Sequence, residues 1–424
     1  MSNSKECEGQ IITATLLTGG VDRPYALGLA RQLISKKVSL DFIASDELDC
    51  PELRSTPGLN FLHLRGDQSP DVGFAVKASR TSVYYARLIR YAATAEPRIF
   101  HILWNNKFEL FDRTLLMLYY KALGKKIVLT AHNVNTRKRD SKDTLVNRLT
   151  LRIQYRLADH IFVHTEKMKQ ELCGEFGVQT ARVTVIPFGI NNEVPNTSLT
   201  TAEAKQRLGI RESEKTLLFF GKVRPYKGLE CLVSAFLQLP IQSENYRLII
   251  AGRPGKGCEK YWDTILKKIS ACAQEDRILV RAEFIPDDEI ETYFKAGDVL
   301  VLPYRYIYGS GILSLGYSFG TPVLAADVGS LKEEVIVSKT GFIFKPDDPS
   351  DLGAAIERYF ASDLYKHLSA RRQKIRTFAA DRYSWNEVGR VTLNVYAQLL
   401  KSHLPGDMTG RKPSMALVDD QLSL

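Results

Sequence analysis

The stretch Leu217-Leu-Phe-Phe-Gly-Lys-Val-Arg-Pro-Tyr-Lys-Gly228, running on into Leu229-Glu-Cys-Leu-Val-Ser-Ala-Phe236, reads as an apolar strand, a glycine-bounded basic turn and a helix. Three cations and a proline therefore stand at the carboxyl end of a strand, where open parallel α/β sheets take their ligands. Such a turn suits an anion. Gly221 and Gly228 let the backbone approach closely, Arg224 offers a planar multidentate fork, and Lys227 offers a compact point charge. The competing reading is a solvated basic turn.

Working outward, the same strand–turn–helix unit recurs on both sides. Upstream strands read at residues 10–16, 38–44, 59–64, 98–103, 126–130, 160–163 and 183–186, with helical patterns between them, the first from about Pro24 to Ser35. Downstream strands read at 217–220, 247–251, 278–284, 298–302, 322–326 and 341–344. Short β-rich runs alternating with helices of ten or more residues predict parallel, doubly wound sheets. The stretch Ile186-Pro-Phe-Gly-Ile-Asn-Asn-Glu-Val-Pro195 breaks the pattern and reads as an interdomain linker. The expected fold is thus α/β, with two Rossmann-like domains facing across a cleft: residues 1–190 and residues 191–383. Ser384-Trp-Asn-Glu387 fits a capping box opening a last helix over 384–404, and residues 405–424 read as a disordered tail. By the same placement, Thr18-Gly19-Gly20 ends a strand in the first domain and faces the basic turn across the cleft.

Composition bounds the class. The 424 residues are 44% hydrophobic, enough for two sizeable cores, and the six cysteines lack CxxC or His-paired spacing, which predicts free thiols in a reducing compartment. The polar, acidic first residues read as no secretory signal, and apolar runs such as Thr114–Tyr120 are too short to span a bilayer. The expectation is a soluble cytoplasmic protein. Residues 1–190 carry 27 Lys/Arg against 19 Asp/Glu, which is +8 of the chain's +10. A basic first half points to an anionic partner: nucleic acid, an acidic lipid surface or a phosphorylated substrate.

Three segments taken together, Gly221–Gly228, Thr130-Ala-His-Asn-Val134 and Gly320-Thr-Pro-Val-Leu-Ala-Ala-Asp-Val-Gly329, resemble the family 4 retaining glycosyltransferases of the two-domain GT-B fold. The resemblance runs from about Ile11 to Leu400 and includes Ile186-Pro-Phe-Gly189 and the closing helix around Trp385 and Tyr396, which in the family crosses back onto the N-terminal domain. It implies that the anion is the diphosphate of a nucleotide-sugar donor. Cleaving a glycosyl–diphosphate bond develops negative charge on the leaving oxygen, and fixed cations stabilise that charge. The donor set so implied is Gly19, Gly20, Lys222, Arg224, Lys227, Ser310, Gly311, Ile312 and Glu333. Arg224, Lys227 and His132 are the catalytic candidates, and His132 and His101 stand on the acceptor side. Gly309-Ser310-Gly311 opens a helix whose free N–H groups suit phosphate, against the alternative of an ordinary helix start. Glu333 could equally serve its own helix dipole.

The sequence departs from the family at one place. Most members carry two glutamates around the helix that begins near Gly311; Ile307 and Leu315 stand at the nearest matching positions, and no Asp or Glu occurs between Asp298 and Asp327. A nucleophile or base from that segment is excluded. Front-face attack, with the leaving diphosphate helping to accept the proton, survives. No Asp-x-Asp occurs, so the reading needs no metal and no cofactor beyond the nucleotide sugar. Nucleic-acid motifs are absent. The helix from Val76 to Tyr91 groups Lys77, Arg80, Arg87 and Arg90 on one face beside Tyr84, Tyr85 and Tyr91, which suits an anionic membrane surface or a lipid diphosphate, against a plain solvated helix.

The function expected is retaining transfer of a sugar from a nucleoside diphosphate to a glycan or lipid-linked acceptor, in envelope or exopolysaccharide assembly, with peripheral contact on the inner face of the cell membrane. The competitors are a nucleotide-sugar epimerase on the same fold and a non-catalytic sugar-binding scaffold.

Overall fold

The structure, a computed structural model, describes residues 11–19, 22–67, 72–106, 108–139, 142–190, 194–239, 245–272 and 275–401. Gly20, Cys7 and residues 402–424, including the expected tail, lie outside the described residues.

Seven strands form the first sheet: β1 (Thr13–Leu17), β2 (Ser39–Ile43), β3 (Leu59–Leu62), β4 (Ile99–Ile102), β5 (Lys126–Thr130), β6 (His160–Val163) and β7 (Val183–Val185), in the order β3-β2-β1-β4-β5-β6-β7. Six form the second: β8 (Lys215–Phe220), β9 (Tyr246–Ala251), β10 (Ile278–Arg281), β11 (Val299–Leu302), β12 (Val323–Ala326) and β13 (Gly341–Phe344), in the order β10-β9-β8-β11-β12-β13. Every strand pair is parallel. Parallel strands are covered on both faces, which is why they read as unbroken apolar runs: β6, β11 and β12 are buried at every residue. Five helices bear on the site: α1 (Arg23–Ser35), α2 (Phe74–Thr94), α3 (Leu229–Gln238), α4 (Gly311–Ser318) and α5 (Trp385–Lys401).

The strand order reverses direction between β1 and β4 in one sheet and between β8 and β11 in the other. Those switch points open a crevice at the carboxyl ends of the strands. The basic turn follows β8 and Gly19 follows β1, so the crevices are where the sequence put its candidates.

Helix α5 packs on the N-terminal domain. Lys36 Nζ of the loop after α1 donates to Asn386 Oδ1 at 2.7 Å, and Trp385 Nε1 donates to the Ile190 carbonyl at 2.7 Å. Trp385 also fills the space that side chains at Gly28 and Gly189 would need. Ser384 stands before α5 as a cap should, but Glu387 gives its carboxylate to Arg390, 2.7 Å from Nε.

Two expectations are corrected. The strand read at 278–284 stops at Arg281, and Phe284 is exposed under the Arg253 guanidinium. On α2 the tyrosines turn inward: the hydroxyls of Tyr84, Tyr85 and Tyr91 bond Asn106, Asp112 and Asp41, while Arg80 pairs with Asp67 at 2.6 Å. A phenol buried with a hydrogen-bond partner belongs to the core, so the exposed face of α2 carries Lys77, Arg87 and Arg90 with Phe74, Val76, Val83 and Ile89 instead.

Candidate active site

Both switch points are built the same way, with the turn after one central strand pressed on the segment after the other. In the C-terminal domain, Gly228 has φ +63°, and a side chain there would overlap the Pro303 carbonyl that follows β11. Only glycine satisfies both constraints. The turn it closes holds Lys227 over the rings of Phe219 and Tyr304, at 5.9 and 5.5 Å. The Lys227 ammonium and the Ile312 side chain, the latter in the first turn of α4, both crowd the open face of Gly221: a Cβ built there would lie 3.1 Å from Lys227 Nζ and 3.4 Å from Ile312 Cδ1. Gly221, Lys227 and Ile312 are therefore brought together. Arg224 is half-buried with its stem beside Gly255, while Lys222 is exposed. The Ser310 hydroxyl caps α4, accepting from Leu313 N at 3.3 Å. In the N-terminal domain, Gly19 has φ +64°, and a side chain there would overlap Trp104, which follows β4.

Between the two ends lies a cavity of about 280 Å³ lined from both domains, among others by His132 and His164, Phe188 of the linker, Ser310 and Glu333. Gly311 continues this wall, since a side chain there would come within 3.3 Å of the Phe188 ring. Trp104 stacks on His132 with centroids 4.1 Å apart and planes 3° from parallel, and Tyr25 meets the same imidazole edge-on at 4.6 Å. Burial holds the His132 imidazolium form well below its ordinary range, and the neighbouring His164 adds to this. His132 is thus a neutral ring at physiological pH. Of the sequence candidates, His132, Ser310 and Glu333 line this one cavity, and Gly311 and Ile312 follow Ser310 directly in the chain.

His101 is the exception and a correction. It is fully buried in β4, with Nδ1 2.7 Å from the Tyr396 hydroxyl of α5 and Nε2 2.7 Å from Thr130 Oγ1. With both ring nitrogens taken and its pKa lowered by burial to about 3, it fastens α5 to the sheet and does not line the acceptor side. Tyr396→Phe leaves a buried ring nitrogen without its partner, and we expect a loss of about 1–3 kcal/mol in denaturant unfolding. A midpoint equal to that of the parent would show that the hydroxyl contributes nothing.

The sequence missed Tyr25, Trp104 and Phe188, which frame His132, and took Glu333 where its neighbour is the buried acid. Glu334 accepts from Ser330 Oγ at 2.6 Å and from the Tyr383 hydroxyl at 2.9 Å, and burial raises its pKa. Glu333 lines the cavity from an exposed position. Ile307 and Leu315 both lie in the apolar core of the C-terminal domain. Flanking Ile307, Tyr308 crosses to the other domain, its hydroxyl donating to Glu171 Oε1 at 2.9 Å.

Comparison with known proteins gives two family matches: Glycosyltransferase Family 4 over residues 18–194 and glycosyl transferases group 1 over residues 200–378. An uncharacterized glycosyltransferase of Methanocaldococcus jannaschii is 26% identical over 236 residues, 55% of this chain and 58% of that protein. A D-inositol 3-phosphate glycosyltransferase of Streptomyces avermitilis is 27% identical over 58% of this chain and 53% of its own length. The chain thus spans a little over half the length of these relatives; a D-inositol 3-phosphate glycosyltransferase of Streptosporangium roseum is matched over 95% of its length at 22% identity. Among solved structures, sucrose-phosphate synthase from Thermosynechococcus elongatus superposes with a TM-score of 0.73 at 18% identity, covering 93% of this chain and 100% of that one. The Anabaena protein HepE in complex with UDP and glucose gives 0.69 at 16%, covering 92% and 100%.

Proposed function

We propose, from the premise that this chain belongs to the GT-B glycosyltransferases with a Family 4 domain followed by a group 1 domain, that it moves a sugar from a nucleoside diphosphate to a hydroxyl acceptor. The observation that carries this reading is the Lys227 ammonium held beside Gly221 and Ile312 at the C-terminal switch point, with Ile312 two residues along α4 from Ser310, which lines the same cavity as His132. The donor diphosphate lies against Arg224, Lys227 and the amino end of α4. The sugar reaches toward His132, and the acceptor enters over the basic N-terminal domain. One similar protein, HepE, has been solved with UDP and with UDP-glucose, which supports a nucleotide sugar as donor.

Transfer proceeds with retention by front-face attack. No carboxylate stands between Asp298 and Asp327 to act as nucleophile, and the departing diphosphate takes the acceptor proton while Arg224 and Lys227 neutralise its growing charge. These two cations supply what a divalent ion otherwise would. The test is product analysis with a panel of nucleotide sugars, with and without glycan acceptors and in EDTA. We expect new glycosidic product only with acceptor, undiminished by EDTA. Conversion of the donor alone points to the epimerase reading, and loss in EDTA restored by magnesium sinks metal independence.

The acceptor is a glycan, carried on lipid at an anionic membrane in envelope or exopolysaccharide assembly. Among the described residues no helix is long and apolar enough to cross a membrane. The exposed face of α2, with Lys77, Arg87, Arg90, Phe74 and Val76, combines charges and apolar groups suited to headgroups. Replacing Lys77, Arg87 and Arg90 together by glutamine should release the protein from anionic vesicles. Vesicle binding equal to the parent's would move the contact elsewhere.

A further inference from the structure

His164 contacts His132 directly, ring nitrogen to ring nitrogen. Its Nδ1 lies 3.3 Å from the Ile186 carbonyl oxygen, and its Nε2 lies 3.0 Å from His132 Nδ1. A carbonyl oxygen only accepts, so His164 carries its proton on Nδ1 and its Nε2 is bare. A bare Nε2 also only accepts, so His132 must donate from Nδ1. One proton remains per neutral ring, and His132 Nε2 is therefore a lone pair. That atom is buried, with no hydrogen-bond partner among the described residues.

The ring cannot easily trade these roles. Trp104 stacks on one face and Tyr25 abuts it. Turning the ring over would present a C–H to His164. Burial also opposes protonating either histidine, and a doubly protonated pair would point two N–H groups at each other.

We propose that His164 is a positioning residue that locks His132 in the Nδ1–H tautomer, so that His132 Nε2 accepts a hydrogen bond from a hydroxyl of the bound sugar. This rests on the glycosyltransferase reading for the identity of the ligand, but not for the tautomer. The ligand class follows from the lone pair. A bare imidazole nitrogen attracts O–H and repels phosphate or carboxylate oxygen, so the anionic end of the donor is kept at the Arg224–Lys227 end. The interaction is a hydrogen bond, and no proton need leave the hydroxyl.

The experiment has two arms. In the first, the free full-length protein is labelled with 15N-histidine, and His132 and His164 are assigned by single replacement. We expect both rings neutral with Nδ1 protonated and Nε2 bare. A proton on His132 Nε2 overturns the proposal, whatever the enzyme does. In the second arm, His164→Leu removes the acceptor while His164→Gln restores an amide oxygen near the same place. We expect kcat in His164→Leu to fall about tenfold, the fold-change of one lost hydrogen bond, with His164→Gln recovering most of it and stabilisation by added UDP unchanged in both. Equal kcat in wild type and His164→Leu overturns the positioning role. If the wild-type protein transfers no sugar from any donor, the glycosyltransferase reading fails together with the hydroxyl ligand, while the spectra decide the tautomer independently.

Discussion

Removing the charge of Arg224 or Lys227 is expected to lower turnover by about two orders of magnitude or more, the size that follows when one preorganised stabiliser of transition-state charge is lost. The two residues differ in how the loss should be read. Arg224 is half-buried at the start of the turn, so Arg224→Ala should leave stability near the parent's. Lys227 is only 7% exposed, packed over Phe219 and Tyr304, and is not the surface residue that a basic turn suggests. Alanine there removes packing as well as charge. Lys227→Met keeps the stem and removes only the ammonium, and it should lose turnover as severely as Lys227→Ala while unfolding closer to the parent. Steady-state kinetics beside denaturant unfolding separates the two effects. Parent-like kcat in both Arg224→Ala and Lys227→Met would remove the diphosphate from this turn.

The burial of Lys227 is the reason to expect a large effect if the proposed diphosphate sits at this turn. A charge lifted partly out of water interacts more strongly with a bound anion than the same charge on a solvated loop. The ring faces of Phe219 and Tyr304 add cation–π attraction to the buried ammonium.

The sheet was legible because its signal is local. Most of the β-rich runs are buried along nearly their whole length, as in Thr13–Leu17 and Gly341–Phe344, so the alternation could be read one segment at a time. The Lys227 turn and the Ser310 cap were legible for the same reason, since a glycine, a cation or a serine at a strand end carries its meaning in place. The failures are non-local. His101 and His132 are both histidines near strand ends, and what separates them is Tyr396, which arrives from almost three hundred residues away to occupy one ring nitrogen of His101. Tyr25, Trp104 and Phe188 come from three distant segments to surround His132; Tyr25 and Trp104 carry no motif of their own, and the Ile186–Gly189 stretch did not reveal that Phe188 meets this ring. His164 was closer to being readable. Strands β5 and β6 are neighbours with Thr130 opposite Phe162, so residues just past their ends are placed side by side. A second polar ring beyond β6 was a register-level hint. The burial of Tyr84 and Tyr85 was likewise hidden, because a helix pattern gives the face of a residue but not the hydroxyl's partner.

Gly228→Ala should be nearly as damaging as deleting a charge, although it removes no functional group. At φ +63° an added Cβ costs roughly 1–2 kcal/mol of backbone strain in the left-handed region. It would also overlap the Pro303 carbonyl, a backbone atom fixed by its position just after the buried strand β11. Backbone cannot swing aside as a side chain can, so the turn carrying Arg224 and Lys227 must move instead. A shift of about 1 Å in a positioning element costs about a hundredfold in rate, and turnover should fall by about that much while donor affinity weakens. The control is Gly257→Ala. Gly257 also has a positive φ, +78°, but nothing lies within 4 Å of the Cβ it would gain. It bears the backbone strain without the collision, and should lose about 1 kcal/mol of stability with turnover close to the parent's. Should the two variants show the same kcat, close approach to Pro303 is not what places the cations, and the shared geometry of the two switch points has no part in the chemistry.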